Sequence, residues 1–331
     1  MQEKVLIVSE KTVKQYLSVE DIIDRVEQTW RWYGEGKINM PSKITLDMSS
    51  MGVAGWINSM PSYIQPEDIA GIKWVGGFAD NHKAGLPYIK AKIMLTDPHT
   101  GLMKALISGD WISDIRTGAQ TAVFAKYLAV KVDVVTIIGA GLQGYTTLLC
   151  LSKFFRLKEV RVCDINLDAC AAFIERFRTV LDCPMIATTD NQKACAGSDL
   201  IVTATTANKP LVQREWVKTG ALVSTIGSYQ ELSDDLIFAA DKIIVDHIDQ
   251  HMHRGEFLNL IQAGRFTRDH FSAEFPKILT GEQTGRSNNQ ELIIISLIGM
   301  GCLDTSVAAL LYSRIIHSGK DDKTIPVVDL A

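Results

Sequence analysis

Residues 134–144 read Val134-Val135-Thr136-Ile137-Ile138-Gly139-Ala140-Gly141-Leu142-Gln143-Gly144, an apolar, largely β-branched run followed directly by a glycine-rich turn. A continuous run of this kind predicts a strand that is buried on both faces of a sheet. In the turn, the first glycine permits a tight bend and the second lets the backbone approach a pyrophosphate. The third lets the next helix pack closely against the strand. The segment therefore predicts the phosphate-binding turn of a Rossmann domain.

The residues after the turn indicate which dinucleotide it binds. Leu142 and Gln143 begin the predicted helix, whose free N–H groups can bind an anion. Asp164 lies 20 residues after Gly144, where its carboxylate can accept hydrogen bonds from both ribose hydroxyls and would repel a 2′-phosphate. No arginine stands at the next two positions to bind such a phosphate. We therefore predict NAD, with a flavin as the alternative, bound by Gly139, Gly141, Leu142, Gln143, Gly144 and Asp164.

Strand and helix patterns alternate toward the C-terminus. Strands are predicted over residues 159–164, 185–187, 200–204, 222–226 and 242–245, with a helix over residues 168–181. This alternation predicts a parallel sheet covered by helices on both faces. Thr203 and Thr205 lie at the end of the fourth strand, where the chain would pass the nicotinamide ribose. We predict that both bind the cofactor, with ordinary loop capping as the alternative for Thr205.

The first third of the chain has a different pattern. Ser18 and Asp21 form a capping box for a helix that ends at Gly34, and strands are predicted over residues 44–48, 55–59, 69–75 and 89–95. A helix over residues 111–130 carries Arg116 near its start. An amphipathic helix over residues 304–316 comes too late to belong to the nucleotide-binding sheet. We therefore expect an α/β protein in which a Rossmann domain, residues 116–302, is inserted into a discontinuous α+β domain, residues 1–115 plus 303–331.

Composition and charge exclude several classes of protein. Of the 331 residues, 47% are apolar, and a net charge of −4 makes nucleic acid an unsuitable partner. No apolar run reaches the roughly 20 residues that span a bilayer, and the N-terminus lacks a secretory pattern, so we expect a cytoplasmic protein. The longest run, residues 292–300, suits a buried strand. Six scattered cysteines predict buried, reduced thiols, and we expect no metal despite the cluster of His247, His251 and His253.

Several motifs, in order and spacing, resemble the ornithine cyclodeaminase/mu-crystallin family over most of the chain. They are Met60-Pro61, Gly71-Ile72-Lys73, the turn at residues 97–101, Arg116-Thr117-Gly118-Ala119, the glycine-rich turn and residues 299–304. The resemblance implies that the discontinuous domain binds the substrate and forms a homodimer. An open sheet edge in that domain also favours a dimer. The family moves hydride between nicotinamide and the α-carbon of an amino acid or imine.

Within the family, four segments resemble the dehydrogenases that act on N-(2-amino-2-carboxyethyl)-L-glutamate in siderophore and diaminopropionate pathways. They are residues 71–76, 240–246, 279–282 and 285–286. Two departures from the rest of the family point the same way. The loop after the strand at 222–226 is short and lacks the catalytic aspartate of cyclodeaminases and related alanine dehydrogenases. The first substrate-binding arginine of the family is replaced by Lys43.

The resemblance implies a secondary-amine substrate that is oxidised at its α-carbon and then hydrolysed to 2-oxoglutarate and 2,3-diaminopropionate. We predict that Lys43, Lys73 and Arg116 bind its carboxylates, since arginine can bind a carboxylate in bidentate fashion. Lys73 stands in an otherwise apolar strand. Desolvation near another cation would lower its pKa, so Lys73 is the candidate base. Thr117, which we place at a helix start, is predicted to bind the pyrophosphate.

Some acidic residues admit two interpretations. Asp304 is a catalytic candidate, with Lys73 and Arg116, because it could orient Lys73 or the nicotinamide amide, but we slightly favour an N-cap of the last helix. Glu231, Asp234 and Asp235 could replace the missing loop aspartate, but we favour a solvated helix start. Other functions also stay open: a cyclodeaminase, an alanine dehydrogenase, a ketimine reductase, or a nucleotide-binding protein without enzymatic activity.

Overall fold

The computed structural model describes residues 3–318 and 325–330. The strands, in chain order, are β1 (Lys4–Val8), β2 (Ile38–Asn39), β3 (Ile44–Asp47), β4 (Gly55–Ile64), β5 (Ile69–Phe78), β6 (Ile89–Thr96), β7 (Met103–Ser108), β8 (Val134–Ile138), β9 (Glu159–Cys163), β10 (Met185–Thr188), β11 (Leu200–Thr203), β12 (Leu222–Thr225), β13 (Lys242–Val245), β14 (Ala273–Glu274), β15 (Ile293–Ser296) and β16 (Val327–Asp329). The α-helices are α1 (Glu10–Tyr16), α2 (Val19–Gly34), α3 (Asp110–Leu128), α4 (Leu142–Phe154), α5 (Leu167–Phe177), α6 (Asn191–Cys195), α7 (Asp234–Phe238), α8 (Ile248–His251), α9 (Leu258–Gln262), α10 (Phe275–Leu279) and α11 (Gly301–His317). None of these described helices is long and apolar enough to cross a membrane.

The chain forms two compact units. The first combines Met1–Arg116 with Met300–Ala331, and the second is Thr117–Gly299. The α/β class with an inserted Rossmann fold, expected from the alternation of strand and helix, is confirmed. Substrate binding and dimerisation by the first unit stay predictions.

The first unit is built on a mixed sheet with the order β16-β1-β7-β6-β5-β4-β2, and β3 pairs with β4. Helix α11 packs on β4, β5 and β6, and α2 packs on α11. The predicted capping box is present, since Ser18 accepts from the N–H of Asp21 while the Asp21 carboxylate accepts from the N–H of Ser18. Ile22, Val26 and Trp30 on the apolar stripe of α2 are buried.

The opposite face of this sheet carries exposed apolar side chains. Ile44, Leu46, Trp74 and Leu106 are 71, 53, 51 and 37% exposed. The strand register places all four on one face, opposite the face of Lys73, because side chains alternate along a strand. The unit therefore presents an apolar sheet surface.

The second unit is built on a fully parallel sheet of eight strands in the order β10-β9-β8-β11-β12-β15-β13-β14. The chain leaves β8 toward β9 and later returns to place β11 on the other side of β8. A crevice opens at such a switch point, outside the carboxyl ends of the two strands, and receives the ligand in sheets of this type. This geometry puts the turn after β8 at the expected binding edge.

Strands β4 and β5 are longer than the sequence predicted. The predicted strands cover residues 55–59 and 69–75, but the two ten-residue strands pair from Gly55 and Phe78 to Ile64 and Ile69. A Cβ on Gly77 would lie 2.7 Å from the Trp56 ring, so the glycine provides room for that ring. The Trp56 ring thus occupies the space that a side chain at position 77 would have filled.

Gly285 and Arg286, which belong to the segments that resemble the N-(2-amino-2-carboxyethyl)-L-glutamate dehydrogenases, have a structural role. The Arg286 side chain donates to the carbonyl oxygens of Leu128, at the end of α3, and of Glu291. A Cβ on Gly285 would lie 2.9 Å from the Leu128 side chain. These residues cap the end of a helix in the second unit.

Candidate active site

The glycine-rich turn has the open cradle that a dinucleotide needs. Gly139 has φ +108°, and a Cβ there would lie 2.5 Å from the carbonyl oxygen of Ala204. A Cβ on Gly144 would lie 2.2 Å from the carbonyl oxygen of Gly139. Gly141, in contrast, has nothing within 4 Å of its Cβ position and caps α4 without a side-chain hydrogen bond. The first and third glycines are therefore required by the fold, and the second leaves room for a ligand at the start of the helix.

Asp164 lies directly after β9, beside the same turn. Its Oδ2 accepts a hydrogen bond of 2.8 Å from the N–H of Ala140, and its Oδ1 accepts one of 3.0 Å from the N–H of Asn166. Each carboxylate oxygen has a second lone pair that can accept from a ribose hydroxyl. Leu142 and Gln143 lie in the first turn of α4, as predicted. These residues fit the adenosine half of NAD.

Thr203 and Thr205 both bind the carboxylate of Glu231. The Thr203 hydroxyl donates to Oε2 at 2.8 Å, and the N–H of Thr205 donates to Oε1 at 3.0 Å. Glu231 is fully buried, so its interpretation as part of a solvated helix start is wrong. Asp234 and Asp235 do lie in the first turn of α7.

In the first unit, Lys73, Arg116 and Asp304 form a buried ionic cluster. Lys73 Nζ lies 2.7 Å from Asp304 Oδ2, and Arg116 Nε donates to Asp304 Oδ1 at 3.0 Å. The side chains of Lys73, Arg116 and Asp304 are 1, 8 and 0% exposed. One carboxylate thus holds both cations in fixed positions.

The N-cap interpretation of Asp304 is wrong. Helix α11 begins three residues earlier, at Gly301, and its N-cap is Met300. A Cβ on Gly301 would lie 2.8 Å from the carbonyl oxygen of Met60, so the helix starts against β4. Asp304 therefore lies inside the helix and faces Lys73.

Burial and neighbouring charges shift the pKa of two groups around the cluster. Burial, and then the charge of Arg116, lower the pKa of Lys73 to about 8, although Asp304 opposes this shift. Burial, and then the Asp110 carboxylate, raise the pKa of Asp114 to about 6. The lowered pKa of Lys73 has the direction and the causes expected for a base.

Sequence reasoning missed Ser113. Its hydroxyl lies 3.4 Å from Lys73 Nζ and 3.5 Å from Arg116 Nη2. The signal was available, because Ser113 precedes Arg116 by three positions and thus shares its helix face.

The two remaining predicted site residues, Thr117 and Lys43, lie in α3 and directly before β3. Helix α3 begins at Asp110, so Thr117 lies inside the helix and its N–H is not one of the free N-terminal groups. The expectation that it stands at a helix start is wrong. Lys43 is half-buried and directly precedes β3.

One of the three clustered histidines, His251, has a buried acidic partner. His251 is buried and pairs with Asp246 at 3.1 Å. The other oxygen of Asp246 accepts from the N–H groups of Ile298 and Gly299. Within residues 3–318 and 325–330, no group of three His, Cys, Asp or Glu side chains is arranged to hold a metal ion.

The fold and the phosphate-binding turn define a dinucleotide-binding protein of the Rossmann type. A family model described as the ornithine cyclodeaminase/mu-crystallin family matches residues 3–319, and the chain belongs to this family. The resemblance inferred from its motifs is thereby confirmed.

Curated relatives include two dehydrogenases. The alanine dehydrogenase of Archaeoglobus fulgidus is 30% identical over 323 residues, which are 96% of this chain and 97% of the relative. The N-((2S)-2-amino-2-carboxyethyl)-L-glutamate dehydrogenase of Staphylococcus aureus is 32% identical over 268 residues, 79% of this chain and 80% of the relative.

Solved relatives share the whole fold. The Delta(1)-pyrroline-2-carboxylate reductase of Thermococcus litoralis, in complex with NADH and L-proline, has a TM-score of 0.89 and 28% identity, and covers 95% of this chain and 98% of its own. An archaeal alanine dehydrogenase dimer with bound NAD has a TM-score of 0.91 and 28% identity, and covers 99% of this chain and 100% of its own.

Proposed function

We propose that this chain oxidises N-(2-amino-2-carboxyethyl)-L-glutamate and releases 2-oxoglutarate and 2,3-diaminopropionate. The wider class is established, because the chain is an NAD-dependent oxidoreductase of the family whose relatives act on amino acids and their imines. The buried cluster of Lys73, Arg116 and Asp304 carries the proposal, and the Staphylococcus aureus relative supports the choice of substrate.

The cations of the first unit bind the carboxylates of this substrate. Arg116 presents a planar guanidinium whose Nε is held by Asp304, which fixes its orientation. Lys43 lies before β3 and binds a second carboxylate. Each charge-assisted hydrogen bond of this kind contributes about 1.5–3 kcal/mol.

Lys73 acts as the base. Its pKa of about 8 leaves a useful fraction of neutral amine near neutral pH, and its Nζ is oriented by Asp304. The neutral amine accepts the proton of the substrate nitrogen, and bound NAD supplies the hydride acceptor for the α-carbon. Lys73 then assists the addition of water to the carbon of the C=N bond. Cleavage of the C–N bond leaves the keto acid and the primary amine.

The second unit binds the cofactor. Gly139, Gly141 and Gly144 form the turn for the pyrophosphate, with Leu142 and Gln143 beginning the helix behind it. Asp164 accepts hydrogen bonds from the ribose. Thr203 and Thr205 border the nicotinamide half. The Thr117 hydroxyl binds the pyrophosphate.

The loop at residues 227–232 argues against a cyclodeaminase. It contains no aspartate, and its one acidic side chain, Glu231, is buried and bound by Thr203 and Thr205. Glu231 is therefore not free to replace a catalytic aspartate. A ketimine reductase is the second candidate, because the similar reductase from Thermococcus litoralis holds NADH and L-proline on the same fold.

We further propose a homodimer formed through the exposed face of Ile44, Leu46, Trp74 and Leu106. Four large apolar side chains exposed on one sheet face, alongside the polar Ser59 and Lys92, are unusual for a monomer. The similar archaeal alanine dehydrogenase is a dimer. A cytoplasmic location stays a prediction.

A substrate panel tests the proposed reaction. Purified protein with NAD is mixed with N-(2-amino-2-carboxyethyl)-L-glutamate, alanine or ornithine, and a cyclic imine is tested in reverse with NADH. We expect equal amounts of NADH and 2-oxoglutarate from the first compound. Ammonia from ornithine without net NADH would identify a cyclodeaminase, and consumption of NADH by the imine alone would identify a reductase. NADH binding without turnover of any compound would indicate a non-enzymatic role.

A further inference from the structure

Glu231 is a buried carboxylate without an obvious catalytic use. It lies in the loop between β12 and α7, and its oxygens accept from the Thr203 hydroxyl and from both the N–H and the hydroxyl of Thr205. The backbone of Gly227 also donates to it. These donors satisfy a carboxylate that is shielded from water.

The segment that Glu231 holds lies against the phosphate-binding turn. A Cβ on Gly139 would lie 2.5 Å from the carbonyl oxygen of Ala204 and 3.0 Å from the Thr205 methyl group. Strands β8 and β11, which precede these residues, are neighbours at the switch point of the sheet. The position of Thr205 therefore sets one wall of the crevice that receives the dinucleotide.

Two further features fix Glu231 itself. The buried carboxyl of Glu256 accepts from the N–H groups of Glu231 and Leu232, which holds the loop backbone. A Cβ on Gly227 would lie 2.4 Å from Glu231 Oε2, so the carboxylate occupies space that only a glycine leaves open. The ends of β11 and β12 are thus joined through one side chain.

We propose that Glu231 is a positioning residue of the cofactor site, which holds Thr205 against Gly139 and so keeps the crevice at the width that NAD requires. This inference rests on the cofactor part of the proposed function and is independent of the substrate. It assigns the acidic residue of the short loop to cofactor binding and not to proton transfer.

The test compares Glu231→Gln with Glu291→Gln. Glu291 is a matched control, because its carboxylate also holds a turn of the second unit by accepting from backbone N–H groups, but it precedes β15 at the opposite end of the sheet. NADH affinity is measured by fluorescence titration, and thermal unfolding is followed with and without NADH. We expect Glu231→Gln to weaken NADH binding roughly tenfold, because the amide cannot accept all the donors, and Glu291→Gln to leave affinity unchanged.

A second variant covers the case in which Glu231→Gln does not fold. Gly227→Ala displaces the carboxylate by its methyl group but keeps the charge, and we expect the same loss of NADH affinity. With an active substrate, KM for NAD should rise while kcat at saturating NAD changes less than threefold, which a general loss of structure would not produce. NADH affinity within twofold of the unmodified chain in either folded variant would overturn the proposal. Failure of the unmodified chain to bind NADH would overturn the cofactor assignment as well.

Discussion

At the scale of single residues, Lys73 organises the candidate site. Its inward-facing neighbours on β5 are Gly71 and Val75, so its ammonium is removed from water, which is unfavourable for an unpaired charge. Asp304 pairs with it and also binds Arg116. Two positive charges and one negative charge leave a net charge of +1 in the ionised cluster. The nearby Asp114 carboxylate, which acts electrostatically on Lys73, offsets this excess when it is ionised.

The pH dependence of turnover follows from the lowered pKa of Lys73. Only the neutral amine accepts a proton, so kcat/KM should fall as pH drops below about 8 and level off above it. The profile is measured at saturating NAD. Asp304 raises the pKa of Lys73, so Asp304→Asn should move the inflection to lower pH. A profile of the unmodified enzyme that is flat through this range would contradict the assignment of Lys73.

The sequence predicted the burial of Lys73 but not that of two acidic residues, Asp304 in the same unit and Glu231 in the second unit. A lysine inside an apolar strand is unusual enough to indicate burial and a partner. An acidic residue near a helix start fits both a solvent-exposed cap and a buried ion pair, because local sequence does not reveal the neighbouring strand. The favoured interpretations of Asp304 and Glu231 were wrong for this reason, whereas the alternative in which Asp304 orients Lys73 agrees with the ion pair. In both cases a long-range contact decides the outcome.

At the scale of elements, two glycines on neighbouring helices of the second unit have opposite roles. Gly118 on α3 would place a Cβ 2.4 Å from the backbone oxygen of Thr146 on α4, so the two helices meet at this glycine. Gly141, at the start of α4, has free space at its Cβ position. The first is required for packing, and the second leaves room for the pyrophosphate.

The two substitutions to alanine should therefore separate stability from binding. Gly118→Ala should lower the free energy of unfolding by about 1–2 kcal/mol, because the displacement of α4 outweighs the better helix propensity of alanine. Gly141→Ala should change stability by less than about 0.5 kcal/mol. It should nevertheless weaken NADH binding roughly tenfold, since the methyl group enters the cradle. Urea unfolding and NADH titration measure both effects, and equal NADH affinity in Gly141→Ala and the unmodified chain would contradict the cradle.

The sequence predicted the limits of some strands better than those of others. The buried strands β8 and β13 match their predicted limits, because continuous apolar runs end where polar or glycine residues begin. Strands β4 and β5 extend beyond theirs, since Trp56 packs over Gly77 across the hairpin. Local propensity treats such a glycine as an interruption, whereas the ring on the neighbouring strand makes it part of the sheet.

At the scale of the whole molecule, the first unit is completed by residues from both ends of the chain. Strand β16 pairs with β1, and α11 packs on β4 to β6, so Asp304 reaches Lys73 only after the whole Rossmann unit has been traversed in sequence. Spacing along the sequence could indicate that the last helix returns. It could not indicate which side chain would meet the lysine.

The proposed dimer is tested on the exposed sheet face. Trp74→Arg should convert the dimer into monomers, because a charge would be buried in an apolar interface. Val180→Arg is the control, since Val180 is similarly exposed, at 45%, but lies in the second unit. Light scattering after gel filtration gives the mass. A dimer that persists in Trp74→Arg would place the interface elsewhere, and a monomeric unmodified chain would exclude the dimer.

The central claim, that Lys73 performs the chemistry while the second unit binds NAD, is tested most directly by Lys73→Met. Methionine keeps the length and apolar packing of the side chain but has no base. Lys104→Met is the control, because Lys104 pairs with Asp97 at a surface turn of the same unit. We predict that Lys73→Met lowers turnover by about 10²–10⁴-fold while its NADH affinity stays within twofold of the unmodified enzyme. Lys104→Met should leave both turnover and NADH affinity unchanged. Turnover in Lys73→Met close to that of the unmodified enzyme would contradict the account.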